Sequence, residues 1–297
     1  MSISLLLTSP TLLDEQLFNR AILMSGIAVG NWVLQSNPQK KAETYLRALD
    51  CSAEQRSDCL KNLSSAQLLA KSGYEWKPSK DGSLLTKSPL IALKEGIFNK
   101  QVSEILLGST DAEGYLCYLT HWAMKSKYYQ KLAANELTEK DFTSMAKADL
   151  NMIIGSNWTH DQFYHNLILS SLNKEQLSLR HRYIDFCSHL LIHIPMRKFT
   201  KLLSTNSKVT AYTYRLKYRP TYSILPKFIT ASGHGDDVLL LFAHSNSSFK
   251  FASKDDSVAK TMVKSFSNFA TEGTPNARLN HVSAFNEINT VHNQRRA

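Results

Sequence analysis

Short apolar runs that end at a glycine, separated by segments of helical spacing, are the feature that most constrains the fold of this 297-residue chain. Residues 20–25 form one such run, closed by Gly26, and residues 102–107 form another, closed by Gly108. Continuous apolar runs of this length are typical of strands buried on both faces of a parallel sheet. Strands that alternate with helices along a chain predict an α/β protein with a parallel sheet.

Most of the remaining sequence has the apolar spacing of helices. Separate helices are predicted over residues 38–49, 65–70, 88–95 and 256–270. Residues 115–203 are mostly helical in pattern, and we expect breaks near Gly155 and Pro195. Residues 210–218 instead alternate between apolar and polar positions, which predicts a third strand.

Composition is that of a globular chain. Apolar residues make up 43% and charged residues 20%, so the sequence is not of the disordered class. No apolar run reaches the length of a membrane span. The first residues, MSISLLL, lack the basic region and small-residue cleavage site of a secretory signal.

The net charge of +10 is unevenly distributed, because residues 188–235 contain no acidic side chain. A solvated basic surface is the simplest interpretation of this stretch. Attraction to an acidic partner or to nucleic acid is the alternative. Since the sequence contains no nucleic-acid-binding motif, we expect no nucleic-acid partner.

Four cysteines are few for a fold built on disulfides. Cys117 and Cys187 stand among apolar residues and are predicted to be buried thiols. Sequons of the N-x-S/T type mark Asn62, Asn157 and Asn246 as candidate glycosylation sites. Such sequons are frequent by chance, and they add only a little weight to a secretory location.

Two segments carry side chains suited to acyl-transfer chemistry. Residues 105–115 read ILLGSTDAEGY and contain Glu113 just after a predicted strand, whereas residues 231–242 read ASGHGDDVLLLF and contain His234 between two glycines. An imidazole in such a loop can reach into a cleft. A carboxylate that orients this imidazole, which then activates a nucleophile, is the arrangement of a catalytic triad.

Each of these residues also has an ordinary structural interpretation. A lone glutamate in an Ala-Glu-Gly loop is usually solvated. His234 is followed closely by Asp236 and Asp237, which fits a surface turn or a weak metal site. Metal binding is disfavoured because no further histidine or cysteine stands at zinc spacing, so we expect no metal and no cofactor.

Six segments, in order along the chain, resemble motifs of the type B carboxylesterases, the family that includes the cholinesterases and the insect carboxylesterases. They are SISLLLTSP at 2–10, LFNRAILMSG at 17–26, the cysteines at 51 and 59, GIFNK at 96–100, YTYRLKY at 212–218 and NFATEGTP at 268–275. The GHGDD form of the histidine loop is most similar to the insect enzymes. The resemblance covers residues 2–276.

This resemblance implies the C-terminal part of an α/β-hydrolase fold over residues 1–276, with a remnant parallel sheet surrounded by many helices. Residues 277–297 do not resemble the C-terminal strand and helix of the family. They are treated as a tail to which the sequence assigns no structure.

Site residues also follow from the resemblance. It assigns the triad acid to Glu113 and the base to His234, in the chain order of α/β-hydrolases, and it makes Ser25 a hydrogen-bond partner of the acid. It implies a disulfide between Cys51 and Cys59, and therefore a secreted or secretory-pathway parent protein. The expected substrates are small carboxylic esters. We expect a direct Glu113–His234 hydrogen bond, with the second ring nitrogen facing the N-terminal segment.

The nucleophile of such a triad sits on a G-x-S-x-G elbow, and this sequence contains none. The nearest serines along the chain, at positions 2, 4, 9 and 25, do not stand between glycines. We therefore expect an esterase fragment that retains acid and base but is inactive alone. The alternative is a non-catalytic, esterase-like binding or adhesion protein. Retention of both Glu113 and His234 favours the esterase.

Overall fold

A computed structural model describes residues 1–52, 54–71, 76–206, 208–242, 252–275 and 289–291, with residues 156–157, 206 and 289–291 described by their backbone alone. Of the candidate glycosylation sites, Asn62 is exposed at the end of a helix. The side chain of Asn157 and the whole of Asn246 lie outside the described part of the chain.

A sheet in the order β1-β2-β3-β4 forms the centre of the fold. Its strands are β1 (Arg20–Met24), β2 (Glu104–Thr110), β3 (Thr210–Leu216) and β4 (Asn289–Val291). The first three are parallel, as the sequence predicts for an α/β protein. The fourth pairs antiparallel with β3 and comes from the segment after residue 276, to which the sequence assigned no structure.

Helices surround this sheet. They are α1 (Ser2–Leu7), α2 (Pro38–Ala48), α3 (Arg56–Asn62), α4 (Ser65–Ala70), α5 (Pro89–Lys94), α6 (Tyr115–Ala123), α7 (Lys127–Ala134), α8 (Glu139–Ile153), α9 (Gln162–Leu172), α10 (Leu179–Ser188), α11 (Ile194–Asn206), α12 (Asp236–Phe242) and α13 (Ser253–Glu272). Short 3-10 turns span Pro10–Leu12 and Ser156–His160. Within the described residues, no helix is both long and apolar enough to cross a bilayer.

Side-chain caps fix where several helices begin. Ser64 and Gln67 form a reciprocal capping box at α4, and Thr138 and Asp141 form another at α8. Ser88 accepts a hydrogen bond from the amide of residue 91 and precedes a proline at the first position of α5. The starts of α4 and α5 agree with the boundaries that the sequence predicts, whereas the start of α8 lies inside the region 115–203, for which the sequence predicted helix without that boundary.

Strand β2 continues two residues beyond its predicted end at Gly108. The glycine lies inside the strand, opposite Tyr214 of β3 in the register. A Cβ built on Gly108 would lie 1.7 Å from a ring carbon of Tyr214. Gly108 is therefore needed because the ring of Tyr214 packs directly against its backbone, and it does not mark the end of the strand.

Gly155, with φ of 84°, separates α8 from the following turn, as expected. The break expected at Pro195 is wrong. A π-helical turn, His189–His193, joins α10 to α11 without a gap, and Pro195 takes the second position of α11. A proline within a helix cannot donate to the carbonyl four residues earlier. Here that carbonyl belongs to Leu191, and the indole of Trp32 donates to it at 2.9 Å.

Apolar packing covers both faces of the sheet. Ile105 and Leu107 of β2 pack in one cluster with Phe199 of α11, whereas Leu106 packs on the opposite face with Phe269 of α13. This follows from strand geometry, because successive side chains point to opposite faces. A separate cluster, centred on the fully buried Phe142, holds α6, α8 and α10 together.

Cys51 and Cys59 form the expected disulfide, with Cα atoms 5.8 Å apart. The prediction that Cys117 and Cys187 are buried thiols is half right. Both residues are buried, but they form a second disulfide across a Cα separation of 6.4 Å. The pairing depends on α6 packing against α10. Since the two cysteines are 70 residues apart, their local sequence carries no signal of it.

Candidate active site

The residues singled out for acyl-transfer chemistry come from two loops at one edge of the sheet. Glu113 lies in the short loop between β2 and α6, and His234 lies in the loop before α12. The carboxyl ends of parallel strands meet at the same edge, where open α/β sheets bind their ligands. The parallel register of β2 and β3 therefore brings the two loops together.

Direct backbone bonds join the loops. The amide of Ala112 donates to the carbonyl of Ser232 at 2.7 Å, and Ala112 and Gly233 form an isolated parallel bridge. The hydroxyl of Ser232 accepts from the Asp111 amide at 3.3 Å and donates to the carbonyl of Leu216. Ser232 thus connects the ends of β2 and β3 and is separated from His234 by Gly233 alone.

Glu113 and His234 are in direct contact. Nδ1 of the imidazole lies 2.7 Å from Oε2 of the carboxylate. The carboxylate is completely buried, whereas the imidazole side chain is 41% exposed. The pair therefore runs from the protein interior to its surface, with the histidine at the accessible end. This is the arrangement in which an inner acid orients a base that can reach a reactant.

The other carboxylate oxygen of Glu113 is held from two sides. Oε1 accepts from the hydroxyl of Ser25 at 2.5 Å and from the amide of Thr110 at 2.7 Å. Burial opposes ionisation of Glu113, but the hydrogen bond and charge of His234, together with these two donors, outweigh it and lower the pKa of the carboxyl. Glu113 is therefore the anionic partner of the pair.

The hydrogen bond to Glu113 raises the pKa of His234, although burial acts in the opposite direction. The negative charges of Glu113 and Asp237 add to the increase. A buried carboxylate on Nδ1 also fixes the tautomer, since Nδ1 carries the proton and Nε2 of the neutral ring is left as the acceptor. This is the form that a general base requires.

Ser25 adopts an unusual backbone conformation at this site. Its φ is 54°, in the left-handed region that residues other than glycine rarely enter. Its amide donates to the carbonyl of Gly108 at 2.7 Å, which extends the β1–β2 ladder by one residue. The turn thus aims the Ser25 hydroxyl at Glu113, as the sequence resemblance implies.

The N-terminal segment lies against this turn. A Cβ built on Gly26, the residue after Ser25, would lie 2.2 Å from the nitrogen of Met1. Ser4 of α1 approaches the same turn, and its hydroxyl lies 3.3 Å from the carbonyl of Gly26. Residues 1–4 are therefore neighbours of the turn that carries the partner of the acid.

Sequence reasoning missed the role of Asp236 and Asp237. Both side chains are 1% exposed, so the surface-turn interpretation is wrong. Asp236 accepts from the amide of Gly233, and Asp237 accepts from the hydroxyl of Tyr214 at 2.9 Å. Burial raises the pKa of Asp237 to about 6. The sequence did contain one signal of this arrangement, which is Gly108. A glycine within an otherwise bulky apolar strand leaves room for the ring of Tyr214, whose hydroxyl donates to Asp237.

His193 is a second residue that the sequence did not single out. Its Nε2 lies 3.0 Å from the carbonyl of Thr110, the residue whose amide donates to Glu113. Burial, followed by the charge of Arg215, lowers the pKa of His193. The neutral ring of His193 therefore holds the loop that carries Glu113 through a hydrogen bond, and it adds no positive charge beside the carboxylate.

Two arginines of the basic stretch at residues 188–235 form contacts within the protein. Arg215 pairs with Asp111 at 2.7 Å, and Arg219 donates to the carbonyl of Leu225 at 2.8 Å. These contacts fix loops beside the site. The ion pair with Asp111 also offsets the positive charge of Arg215, which this stretch then does not offer to an external partner.

A parallel sheet with an acid loop and a histidine loop at neighbouring strand ends defines a protein of the α/β-hydrolase class. The chain belongs to the carboxylesterase family, whose sequence profile matches residues 1–295.

Three relatives show the range of that family. The chain is 24% identical to bile salt-activated lipase of Rattus norvegicus, over 93% of this chain and 46% of that protein. It is 25% identical to acetylcholinesterase of Leptinotarsa decemlineata, over 92% of this chain and 45% of that protein. It is 25% identical to carboxylesterase 1C of Mus musculus, over 97% of this chain and 51% of that protein. The chain thus spans about half the length of these relatives.

Proposed function

We propose that Glu113 and His234 are the acid and the base of a serine-type triad that hydrolyses carboxylic esters. The observation that carries the proposal is the 2.7 Å contact between a fully buried carboxylate and a partly exposed imidazole. His234 Nε2 takes the proton of the nucleophile and later returns it to the leaving group. Glu113 stays ionised, holds the ring in the required tautomer and stabilises the imidazolium.

The nucleophile of the proposed triad is not among these 297 residues. No G-x-S-x-G elbow occurs in the sequence, and the hydroxyls of three of the four nearby serines have other partners. Ser4 donates to the carbonyl of Met1, Ser9 to that of Leu84, and Ser25 to Glu113. We therefore propose an esterase fragment that supplies acid and base, with the serine and the oxyanion donors provided by sequence outside it.

The substrate class is set no more finely than carboxylic esters. The three relatives are named as a lipase, an acetylcholinesterase and a carboxylesterase. What these names have in common is action on an ester bond, and they do not agree on a particular ester. Two disulfides support a secretory-pathway location for the parent protein. Asn62 is the glycosylation candidate whose side chain lies within the described residues, and it is exposed.

The test is to express an extended protein, in which this chain is preceded by the residues that the reading frame directly upstream in the genome encodes. If that frame encodes a G-x-S-x-G elbow, the extended protein should hydrolyse p-nitrophenyl butyrate. His234→Ala should then lower kcat on the order of 10⁶-fold and Glu113→Gln on the order of 10⁴-fold, the losses typical of a triad base and acid. His160→Ala, which changes an exposed histidine, is the matched control and should leave kcat unchanged.

Two results would overturn the proposal. One is an active extended protein whose turnover survives His234→Ala. The other is an upstream frame without an elbow and an extended protein without turnover, which would favour the non-catalytic binding protein. The 297 residues alone should neither turn over the ester nor react with a fluorophosphonate. Stoichiometric labelling of one of their serines would show that the nucleophile is present after all.

A further inference from the structure

A cluster of two sulfurs and one carboxylate lies where three helices meet, outside the Glu113–His234 pair. Its members are Cys117 of α6, Cys187 of α10 and Asp149 of α8. All three are buried, and their ligand atoms lie within 4.8 Å of one another. Neither the fold nor the proposed ester chemistry explains a carboxylate at this position.

A chain of hydrogen bonds holds the carboxylate in place. The hydroxyl of Tyr183 donates to Oδ2 of Asp149 at 2.5 Å, and Nε2 of His121 lies 2.8 Å from the same hydroxyl. Cys117 and His121 are four residues apart on α6, as are Tyr183 and Cys187 on α10. Since residues at that spacing share one helix face, both helices contribute a sulfur and a hydrogen-bonding ring to the cluster. The ring of Tyr183 contacts Asp149 directly, and the ring of His121 contacts Tyr183.

The carboxylate has no ionic partner in the described part of the chain, where the recorded ion pairs do not include Asp149. A buried carboxyl group without a cation is costly to keep ionised. The bonded sulfurs of Cys117 and Cys187 lie beside this carboxylate, so cleavage of their bond would place three potential metal ligands around one point.

We propose that the reduced chain binds Zn²⁺ through the thiolates of Cys117 and Cys187 and the carboxylate of Asp149. Thiolate ligands favour Zn²⁺ among the common divalent ions. In a tetrahedral site with Zn–S bonds of about 2.3 Å, neighbouring ligand atoms are about 3.6–3.8 Å apart. Sγ of Cys187 already lies 3.9 Å from Oδ2 of Asp149. Three protein ligands leave the fourth position to a solvent oxygen.

The disulfide and the metal are alternative occupants of one site. A dithiol reductant transfers two electrons to the Cys117–Cys187 bond, which gives two thiols, and the reductant becomes a cyclic disulfide. Zn²⁺ then displaces the two thiol protons as it binds. The Tyr183–His121 chain orients the carboxylate ligand, a function that outer hydrogen bonds commonly serve in metal sites.

Cobalt is the probe for the test, because Co²⁺ replaces Zn²⁺ and its thiolate complexes absorb in the near ultraviolet. The reporter protein is the full chain carrying Cys51→Ser and Cys59→Ser, so that its only sulfhydryls are those of the proposed site. It is reduced with a water-soluble phosphine, which takes up the oxygen of one water as it gives two thiols. Co²⁺ is then titrated against it. We expect saturable thiolate-to-cobalt absorption at one ion per chain, which added Zn²⁺ abolishes.

Matched variants separate this site from adventitious binding. Cys117→Ser with Cys187→Ser keeps the other cysteine pair and should show no such absorption after reduction. In the reporter protein, Asp149→Asn and Tyr183→Phe should each weaken Co²⁺ binding about 10- to 100-fold. Unreduced reporter protein should not bind. Absence of the absorption in the reduced reporter would show that these cysteines form a disulfide and nothing more. Affinity unchanged by Asp149→Asn would show that the carboxylate is not a ligand, which would overturn the site as proposed.

Discussion

The ring of Tyr214 occupies the space that a side chain on Gly108 would need. The two residues are register partners on β3 and β2, and a Cβ at position 108 would lie 1.7 Å from a ring carbon. By crossing Gly108, Tyr214 reaches Asp237 and connects the sheet to the helix that follows His234. A glycine in the middle of a strand thus contributes to the position of the proposed base.

Gly108→Ala should destabilise the protein by at least about 1–3 kcal/mol, the usual cost of adding a methyl group to a filled interior. Urea unfolding followed by circular dichroism measures the change. Adding Tyr214→Leu should relieve the overlap, so the double variant should lose less stability than the two single variants together. Strictly additive losses would show that the ring and position 108 are not in competition.

Ser25 offers a matched pair of variants. Ser25→Ala removes a donor from the buried Glu113 carboxylate and should cost about 1.5–3 kcal/mol. Ser25→Gly removes the same donor but relieves the left-handed backbone, so it should be more stable than the alanine variant by about 1 kcal/mol. Guanidinium unfolding at neutral pH compares the two. Equal stabilities would show that the backbone at residue 25 carries no strain.

The pKa of His234 should lie above its ordinary value of 6.5 and should fall in Glu113→Gln, because the carboxylate favours the imidazolium. Titration of the ring resonances by NMR measures both values. Glu139→Gln, which changes an exposed glutamate of α8, is the control and should leave the titration unchanged. A His234 pKa that does not respond to Glu113→Gln would contradict the role given to the acid.

The same pair should stabilise the fold only in a limited pH window. The raised pKa of His234 contributes stability below 6.5, which is lost as the pH rises through its folded value. The lowered pKa of Glu113 contributes stability above 4.5, which is lost as the pH falls through its folded value. The contribution is therefore complete between these two limits.

Asp237 should have the opposite effect near neutral pH. Its pKa rises from 3.8 to about 6 on burial, so the stability that the neutral carboxyl contributes below pH 3.8 is lost as the pH rises through 6. Asp237→Asn does not titrate. Its free energy of unfolding relative to wild type should therefore increase between pH 4 and pH 7, by up to about 3 kcal/mol at 1.36 kcal/mol per pKa unit.

Tyr214→Phe extends that test. The hydroxyl of Tyr214 stabilises the ionised form of Asp237, so its removal should raise the carboxyl pKa further. Stability should then fall over a wider pH range, and by more in total, than in wild type, as thermal unfolding across the same range would show. If the difference between Asp237→Asn and wild type is independent of pH, Asp237 is not the buried titrating group described here.

The sequence predicted the features of the fold that depend on residues close together in the chain. Apolar runs predicted the parallel strands, and capping residues predicted several helix starts. The extent of β2 was missed because the reason for Gly108 is Tyr214 on another strand. The Cys117–Cys187 bond was missed because helix packing decides it, and the burial of Asp236 and Asp237 because their partners are distant. The contact of Glu113 with His234 followed from family resemblance, and from no local pattern.

The bond between Glu113 and His234 joins residues 121 positions apart, and its formation has a place in the order of folding. Most of the chain between them forms helices, whose contacts are short-range and form quickly. The two loops meet only when β3 has paired with β2, which carries the entropy cost of closing that long segment. We therefore expect the Nδ1 proton resonance of His234 to appear late in refolding, after the helices between the two loops have formed.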